Sequence, residues 1–482
     1  MAQQQRVLFT RALVLCLALC LVLCYCAYKL RSYQSTEYDE GVYLTTFKSV
    51  QDGFPLYQST FFSQPPGFFT TTFPLYSLLG STLQAARLAV FFYSIIGLLA
   101  ILWIGWEFGS VAFSFVAMGV LYLIPIYTVQ IMTFHADSLP ATFSTLAVAS
   151  LLRFRNSKQR RWIGLSALFT ALAVLIKVDV STFPALFLIL LAACYSFRAP
   201  KKIGRLLEAM AIFGIVFGLA LIAFALPFGL NTVVSNVISL RVEAASASPQ
   251  DPTLFWQFLQ TNPLLIGLLI AGGVLTLVVA LREKAARFPL LVLLAWVMAT
   301  LAILLLYHPL MPHHLVLLAV PVTLLFSFAL TQLLNSIPSP LRRLVPVAIS
   351  LFLAVVLGQR VSSSLLPQNG IPTPLESEGI QLADTYTQPG DFIVSDDGIV
   401  TGLSNRPTPP DLTDISYVRL GTGSLNSREF KMYLKTYKPK LILAWADRLT
   451  YLQNFDMILQ DDHYQLIDTI DSHYKAYLLE SG

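Results

Sequence analysis

Charge is scarce in this sequence of 482 residues, where Asp, Glu, Lys and Arg together make up only 12%. Soluble globular domains use about 25% charged residues. Hydrophobic residues reach 55% of the chain, and long apolar runs recur, so the composition predicts a polytopic membrane protein. The net charge of +5 then reflects loops beside the membrane, and no nucleic-acid partner is inferred from it.

Cysteine is also scarce, and none of the five cysteines stands where an external disulfide is expected. Three of them share a helical face in the first apolar run, a spacing that favours helix packing over metal ligation. The run lacks a small-residue cleavage site, so it is interpreted as a retained anchor and not a signal peptide. The cysteines of the apolar runs are Cys16, Cys20, Cys24, Cys26 and Cys194.

A glycine-rich phosphate-binding loop is absent as well, which argues against an enzyme that uses a nucleotide sugar. What the chain has instead is about eleven apolar runs long enough to cross a bilayer. Four basic clusters follow even-numbered runs, so they lie on one side, which the positive-inside rule makes cytoplasmic. The runs are about 7–28, 87–105, 110–127, 136–152, 161–177, 180–197, 206–226, 262–281, 288–306, 314–334 and 343–360, and the clusters are Arg153–Arg161, Arg198–Arg205, Arg282–Arg287 and Arg342–Arg343.

This orientation divides the chain into two regions. The N-terminus is predicted to be cytoplasmic, and residues 1–364 form an α-helical transmembrane domain whose loop 29–86 faces outward. After about residue 365 the apolar runs shorten and turn signals appear, so residues 365–482 are predicted to form a small soluble α/β domain. That domain is extracytoplasmic, and we expect it to act as a lid or as an acceptor-recognition module.

Loop 29–86 contains two adjacent carboxylates, Asp39 and Glu40, among many aromatic residues. An exposed loop would not be so aromatic, so the segment is expected to pack on the helix bundle or in the membrane interface. Partial burial would raise the pKa of Asp39 and make it a proton acceptor. An ordinary solvated loop acid is the alternative.

The segments "DEGVYL", "DGFPLY" and "QPPGFF", followed by Arg87, resemble the first external loop of GT-C glycosyltransferases. The resemblance is greatest to the protein O-mannosyltransferase-like and aminoarabinose lipid A transferase-like branch, and it covers about residues 30–360. It implies the GT-C fold and transfer of a sugar from a polyprenyl-phosphate carrier, with an Asp of this loop as base. Asp39 is assigned that role and Glu40 a helper role, with the reverse assignment left open.

A departing phosphate needs positive charge at the outer membrane surface. Lys177 stands where the family often has a lysine, although snorkelling to the interface would also explain it. His308 and Tyr307 occupy a turn where relatives often carry Arg-Tyr, so this sequence departs from the pattern there. Arg241, in the second large external loop, is a further candidate.

Asp137, two residues after His135, begins the fourth run near the position of a second acidic residue in GT-C relatives. The pair is a candidate for positioning the acceptor, while a plain helix N-cap is the alternative. One Asp and one His do not specify a metal, so no metal site is predicted. A divalent cation stays open as a cofactor beside the lipid-linked donor.

The sequence therefore predicts a cell-membrane enzyme that moves a sugar from a polyprenyl-phosphate carrier to an acceptor hydroxyl with inversion. The acceptor is a lipid, a polysaccharide or a protein, and membrane lipids surround the enzyme. A transporter is the main rival class, although the charges cluster at the outer ends of the runs and no matching halves are apparent. A non-catalytic scaffold of the same fold is the other alternative.

Overall fold

The computed structural model describes residues 37–195, 201–247, 251–336, 372–471 and 473–480. Two predicted apolar runs, 7–28 and 343–360, lie outside these ranges, as do the four cysteines of the first run and the basic pair Arg342–Arg343. The other nine predicted runs each contain a helix. Eleven spans therefore remain a prediction for the whole chain.

In the described residues up to 336, all regular elements are helices. Five of its described helices are long and apolar enough to cross a membrane, and a sixth span results if one bent pair is counted together. The pair bends by 81° at Pro125, which opens the second helix. The helices are α1 Tyr38–Gln51, α2 Pro66–Leu78, α3 Leu83–Glu107, α4 Val111–Leu123, α5 Pro125–Met132, α6 Ser138–Ser157, α7 Arg161–Ile176, α8 Phe183–Tyr195, α9 Lys201–Ala225, α10 Leu230–Val233, α11 Leu240–Ala247, α12 Pro252–Gln260, α13 Pro263–Arg282, α14 Arg287–Leu306 and α15 Val316–Asn335.

The bundle is held by one large apolar core that includes Trp296 and Phe328. Helix α6 is nearly all buried, although its composition includes Ser and Thr. Some of its hydroxyls donate to backbone carbonyls, as Thr145 does to Ala141 and Thr142 to Tyr93. Polar side chains are tolerated in such a helix because neighbouring backbone oxygens accept their hydrogen bonds.

Helices α1 and α2 form a second core with the bundle, as the aromatic sequence of loop 29–86 predicts. Tyr43 and Phe47 of α1 pack on Phe68 of α2 and on Phe134, with ring centroids 4.9 to 6.0 Å apart. Such tilted and edge-to-face pairs stabilise aromatic clusters beyond their buried area. Helix α1 is thereby fixed on the bundle with Asp39 in its first turn.

Residues 372–480 contain a four-stranded sheet with the order β1-β2-β4-β3. Strands β1 and β2 are parallel, while β4 runs antiparallel to both β2 and β3. Apolar clusters cover the sheet, and Trp445 is among its buried residues. The elements are α16 Pro374–Tyr386, β1 Ile393–Ser395, α17 Gly398–Leu403, α18 Tyr417–Thr422, α19 Ser427–Tyr437, β2 Leu441–Ala444, α20 Phe455–Asp461, β3 Tyr464–Ile470 and β4 Tyr474–Leu479.

The sheet region lies against α1, so the loop that carries Asp39 and residues 372–480 share one face of the molecule. Helix α3 runs from the Arg87 end near α1 to Glu107, which contacts Arg153 and Asn156. A helix of 25 residues spans about 38 Å at 1.5 Å per residue. The basic Arg153–Arg161 segment is therefore at the far end of the bundle from Asp39.

Candidate active site

Asp39 is the centre of the candidate site, because its carboxylate is within reach of a buried imidazole. Its Oδ2 atom lies 3.4 Å from Nε2 of His135, and its side chain keeps 31% of its surface exposed. Burial opposes ionisation of this carboxyl, but the contact with His135 and the positive charge of that ring lower its pKa to about 2. The sequence-based expectation of a raised pKa is wrong, because it considered burial without the neighbouring imidazole.

His135 is the middle of a chain of charged groups behind Asp39. Its Nδ1 atom lies 2.6 Å from Oδ2 of Asp137, while Glu37 reaches Nε2 at 3.4 Å. Burial disfavours the imidazolium, but Asp137 and Asp39 outweigh it and raise the pKa of His135 to about 10. The ammonium of Lys177 bonds the other oxygen of Asp137.

A run of rings and polar side chains leads from His135 to a guanidinium. The rings of His135 and His313 lie 4.8 Å apart, those of His313 and His314 4.5 Å, and those of His314 and Tyr307 4.6 Å. Arg241 then donates from Nη1 to the hydroxyl of Tyr307 at 3.0 Å. We call Asp39, His135, His313, His314, Tyr307 and Arg241 the outer cluster.

Arg241 and Tyr43 keep polar atoms available at this cluster. Arg241 also donates from Nη2 to Oε1 of Gln64 at 2.8 Å. Its Nε atom and the hydroxyl of Tyr43 are buried without a hydrogen-bond partner among the described residues. Tyr43 lies beside His135, with ring centroids 6.0 Å apart. An anionic substrate group could therefore be bound without breaking an existing bond.

Glu40, next to Asp39, has different partners. It is fully buried and accepts two hydrogen bonds from Arg87, at 2.7 and 2.6 Å, and one from the backbone N–H of Phe134 at 2.7 Å. Its carboxylate therefore links α1 to α3 and to the segment before α6. Orientation of a helix end is one form of the helper role assigned to Glu40, and that role stays a prediction.

Several predicted residues come together, and others do not. Asp39, His135, Asp137, Lys177, Tyr307 and Arg241 form one connected group, but Lys177 bonds Asp137 and so stands behind His135. Asp137 is the N-cap residue of α6, but its side chain makes no cap bond there. His308 is half-buried in the Tyr307 turn and makes no hydrogen bond or ring contact in the described part of the chain.

Sequence reasoning missed Glu37, Gln64, Tyr43, His313 and His314 as members of the site. The signal for the two histidines is present in "MPHHL", where they follow the proline that opens the last described span. Tyr307 and His308 were the residues singled out from that turn. Gln64 could not have been found in this way, because an isolated glutamine in a loop carries no pattern.

Two sets of side chains offer ligand atoms within 4.8 Å of one another, namely Glu37, His135 and His313, and Asp137, His313 and His314. Imidazole and carboxylate donors of this kind suit Zn²⁺ and similar divalent ions. Lys177 already bonds Asp137, so its charge would oppose a cation in the second set. The first set contains His135, which would have to lose its proton to bind a cation.

No protein-family model and no curated protein matches the chain. Solved structures do match it along nearly its whole length. Crystal structures of ArnT from Cupriavidus metallidurans cover 97% of this chain and 98% of their own, with TM-scores of 0.61 bound to undecaprenyl phosphate and 0.56 in the apo state, at 15% and 14% identity. The Archaeoglobus fulgidus oligosaccharyltransferase in the apo form has a TM-score of 0.54 and 11% identity, and the match covers 96% of this chain and 74% of that one.

These neighbours bear directly on the resemblance predicted from loop 29–86. ArnT, an aminoarabinose lipid A transferase, and the archaeal oligosaccharyltransferase are both GT-C superfamily glycosyltransferases. The match includes the helical bundle and the small C-terminal sheet. The chain therefore has the GT-C fold.

Proposed function

We propose that the protein is a membrane glycosyltransferase that moves a sugar from a polyprenyl-phosphate carrier to an acceptor hydroxyl at the outer face. Asp39 is the general base, and transfer inverts the anomeric centre. The shared fold and the undecaprenyl phosphate bound in one ArnT structure support the donor class. The arrangement of charge in the outer cluster supports the chemistry.

The observation that carries this proposal is the separation of opposite charges within one cluster. A partly exposed carboxylate, Asp39, is at one end, and a guanidinium, Arg241, is at the other, with three imidazoles and Tyr307 between them. An inverting transfer requires this separation, because the acceptor and the leaving phosphate occupy opposite faces of the sugar. The sugar would lie along the cluster.

In the proposed reaction the acceptor oxygen attacks the anomeric carbon while its proton passes to Asp39. The bond between that carbon and the phosphate oxygen breaks, and its electrons leave with the carrier phosphate. Arg241 and the hydroxyl of Tyr307 bind the developing charge, which is poorly solvated at the membrane surface. His135 orients the base, and Asp137 with Lys177 fixes that imidazole.

The test is carrier release by purified protein in lipid nanodiscs supplied with polyprenyl-phosphate sugars and acceptor lipids, glycans or peptides. We expect Asp39→Asn to lower release by about two to four orders of magnitude, the usual contribution of a positioned base. Donor binding should persist, because the substitution is isosteric and leaves the Arg241 end unchanged. Asp468→Asn, at an exposed position of β3, is the matched control and should transfer normally.

A transporter would give the opposite pattern. It would move a substrate across sealed vesicles without releasing free lipid phosphate, and a non-catalytic scaffold would do neither. Full transfer activity in Asp39→Asn would contradict the assignment of the base. Absence of carrier release by the unaltered protein, across several sugars and acceptors, would exclude the enzyme and favour these alternatives.

A further inference from the structure

Helix α1, which carries Asp39, touches α17 of the sheet region at backbone distance. A Cβ atom added to Gly41 would lie 2.4 Å from the carbonyl carbon of Gly398, and one added to Gly398 would lie 2.5 Å from that of Gly41. Neither position has room for any side chain, since real Cβ atoms do not approach backbone so closely. The two helices therefore meet through a pair of glycines, two residues beyond the catalytic carboxylate.

Polar contacts extend this interface along one face of α1. Thr45 donates to the carbonyl oxygen of Gly398 at 3.0 Å and shares a hydrogen bond with Thr401 at 2.8 Å. One turn further along, the ammonium of Lys48 bonds the carbonyl oxygen of Ser404. Thr45 and Thr401 are buried, so separating the helices would expose paired hydroxyls and apolar surface together.

A second group of contacts holds the residue immediately before Asp39. The guanidinium of Arg448 lies 3.6 Å from the centroid of the Tyr38 ring, and the Tyr38 hydroxyl is 3.4 Å from Oδ1 of Asp414. The loop that carries Arg448 is itself fixed by the buried carboxylate of Asp396. That carboxylate accepts hydrogen bonds of 2.5 to 2.9 Å from the backbone N–H groups of Trp445, Ala446, Arg448 and Leu449.

We propose that residues 372–480 are a fixed positioning element of the active site and not a lid. Helix α17 and the Arg448 loop hold the N-terminal half of α1 from two sides, and through it they set the place of Asp39 relative to His135. The side chains that act here are positioning residues, because none of them touches the reacting atoms. This inference rests on the proposed function of Asp39 and assigns a role to the region predicted to be a lid or an acceptor-recognition module.

A cross-link between α1 and α17 distinguishes a fixed contact from a lid. Thr45→Cys and Thr401→Cys would be combined in a background whose native cysteines are replaced by alanine, since the two hydroxyl oxygens are only 2.8 Å apart. Oxidised and reduced samples of this one protein are then compared for carrier release. We expect the cross-linked form to retain activity within about twofold, whereas a lid that must open would be inactive when closed.

The positioning role is tested by Gly398→Ala, with Gly421→Ala as the matched control. An added Cβ at Gly421, in α18 of the same region, meets nothing within 4 Å. We expect Gly398→Ala to lower kcat by about 10- to 100-fold, since a displacement near 1 Å at a catalytic group has that effect. The donor KM should stay within about threefold, because the Arg241 end is not displaced. Gly421→Ala should match the unaltered protein in both constants.

Hydrogen exchange supplies a readout that does not depend on activity. In Gly398→Ala, amides of residues 38–51 should exchange faster than in Gly421→Ala, while the bundle helices keep their protection. Unchanged exchange in this segment, or loss of activity on cross-linking that reductant restores, would overturn the proposal. If the unaltered protein releases no carrier, the proposed function fails, and the exchange experiment still reports whether α17 holds α1.

Discussion

Asp39 and Glu40 are neighbours in sequence, but Asp39 is partly exposed and Glu40 is buried, so isosteric substitution should affect stability to different extents. Glu40→Gln removes the negative charge that faces the guanidinium of Arg87, which is 2% exposed. Breaking a buried ion pair on one side costs about 3–5 kcal/mol. We therefore expect Glu40→Gln to lower the melting temperature and the yield of folded protein, while Asp39→Asn has a much smaller effect on both.

The double variant Glu40→Gln/Arg87→Gln separates ion-pair loss from a direct catalytic role. It removes both charges, so part of the stability lost in Glu40→Gln should return, and thermal melting in nanodiscs measures this coupling. If Glu40→Gln melted normally and still abolished transfer, Glu40 would act in the chemistry, as the reverse assignment of the two carboxylates requires.

Arg241 supports a prediction about the donor. Arg241→Gln should weaken the binding of a polyprenyl phosphate by about tenfold or more, because a hydrogen bond to a charged group contributes about 1.5–3 kcal/mol. Arg241→Lys keeps the charge but loses the planar fork, so it should retain part of the affinity. Titration of the lipid phosphate into the protein measures the Kd of each.

Arg282→Gln is the control for charge alone, since Arg282 is exposed at the end of α13. An Arg241→Gln variant with an unaltered Kd and normal transfer would remove Arg241 from the donor site. Tyr43, whose buried hydroxyl faces the same cluster, would then be the next residue to substitute.

The sequence predicted individual members of the site better than their partners. Asp39 was singled out by its aromatic surroundings and by the resemblance of its loop to GT-C glycosyltransferases. Asp137 with His135 was singled out by its place at the start of an apolar run, near a second acidic residue of those relatives. Pairing of Lys177 with Asp137, and of Arg241 with Tyr307, joins residues 40 and 66 positions apart. Such contacts follow from helix packing, which periodicity in a single sequence does not specify.

At the scale of one element, Asp397 at the start of α17 predicts a pH dependence of stability. Its carboxylate accepts the N–H of Ile399 at 2.9 Å as an N-cap, yet burial raises its pKa to about 6, with Glu376 and Asp396 adding repulsion. A raised pKa means that the charged form is disfavoured in the folded state. The cost is absent below about pH 4, where the unfolded carboxyl is also protonated, and it grows to its full size as the pH rises past 6.

Asp397→Asn should therefore stabilise the protein at pH 8 and have almost no effect at pH 4, because Asn keeps the capping oxygen and never ionises. We expect a gain of up to about 3 kcal/mol at pH 8, because each pKa unit corresponds to about 1.4 kcal/mol; the melting temperature of the sheet region across the pH range measures it. Asp468→Asn is again the exposed control. A gain at pH 4 equal to that at pH 8 would contradict the role of ionisation.

Helices were predicted well where a long apolar run alone indicates them. Each of the nine apolar runs within the described ranges contains a helix, because long apolar segments can satisfy their backbone only internally. The 81° bend inside the predicted run 110–127 was not anticipated, although Pro125 marks it. The contact of α17 with α1 was also not predicted, since Gly398 follows two Asp residues in a pattern typical of an ordinary turn.

The distribution of basic loops along the chain predicts one orientation of the protein in the membrane. A reporter fused after Gly482 should be external, and one inserted in the Arg153–Arg161 segment should be cytoplasmic, because basic loops stay inside. The contacts of residues 372–480 with α1 place the Asp39 loop on the same side as the first reporter. Protease protection of the two fusions in intact cells measures both positions. A cytoplasmic C-terminal reporter would contradict the proposal that the reaction takes place at the outer face.

The glycine contact between α1 and α17 also imposes an order on biogenesis. Thr45 and Gly398, which it brings together, are 353 positions apart in the chain. At a synthesis rate of about 5–20 residues per second, the second partner follows the first by roughly 20 to 70 s. During that interval α1 can already make its contacts with α2, α3 and the segment before α6, but its contacts with α17 and the Arg448 loop are still missing. Prematurely terminated chains would remain inert, and competence would arise only once the last hundred residues have been translocated and folded.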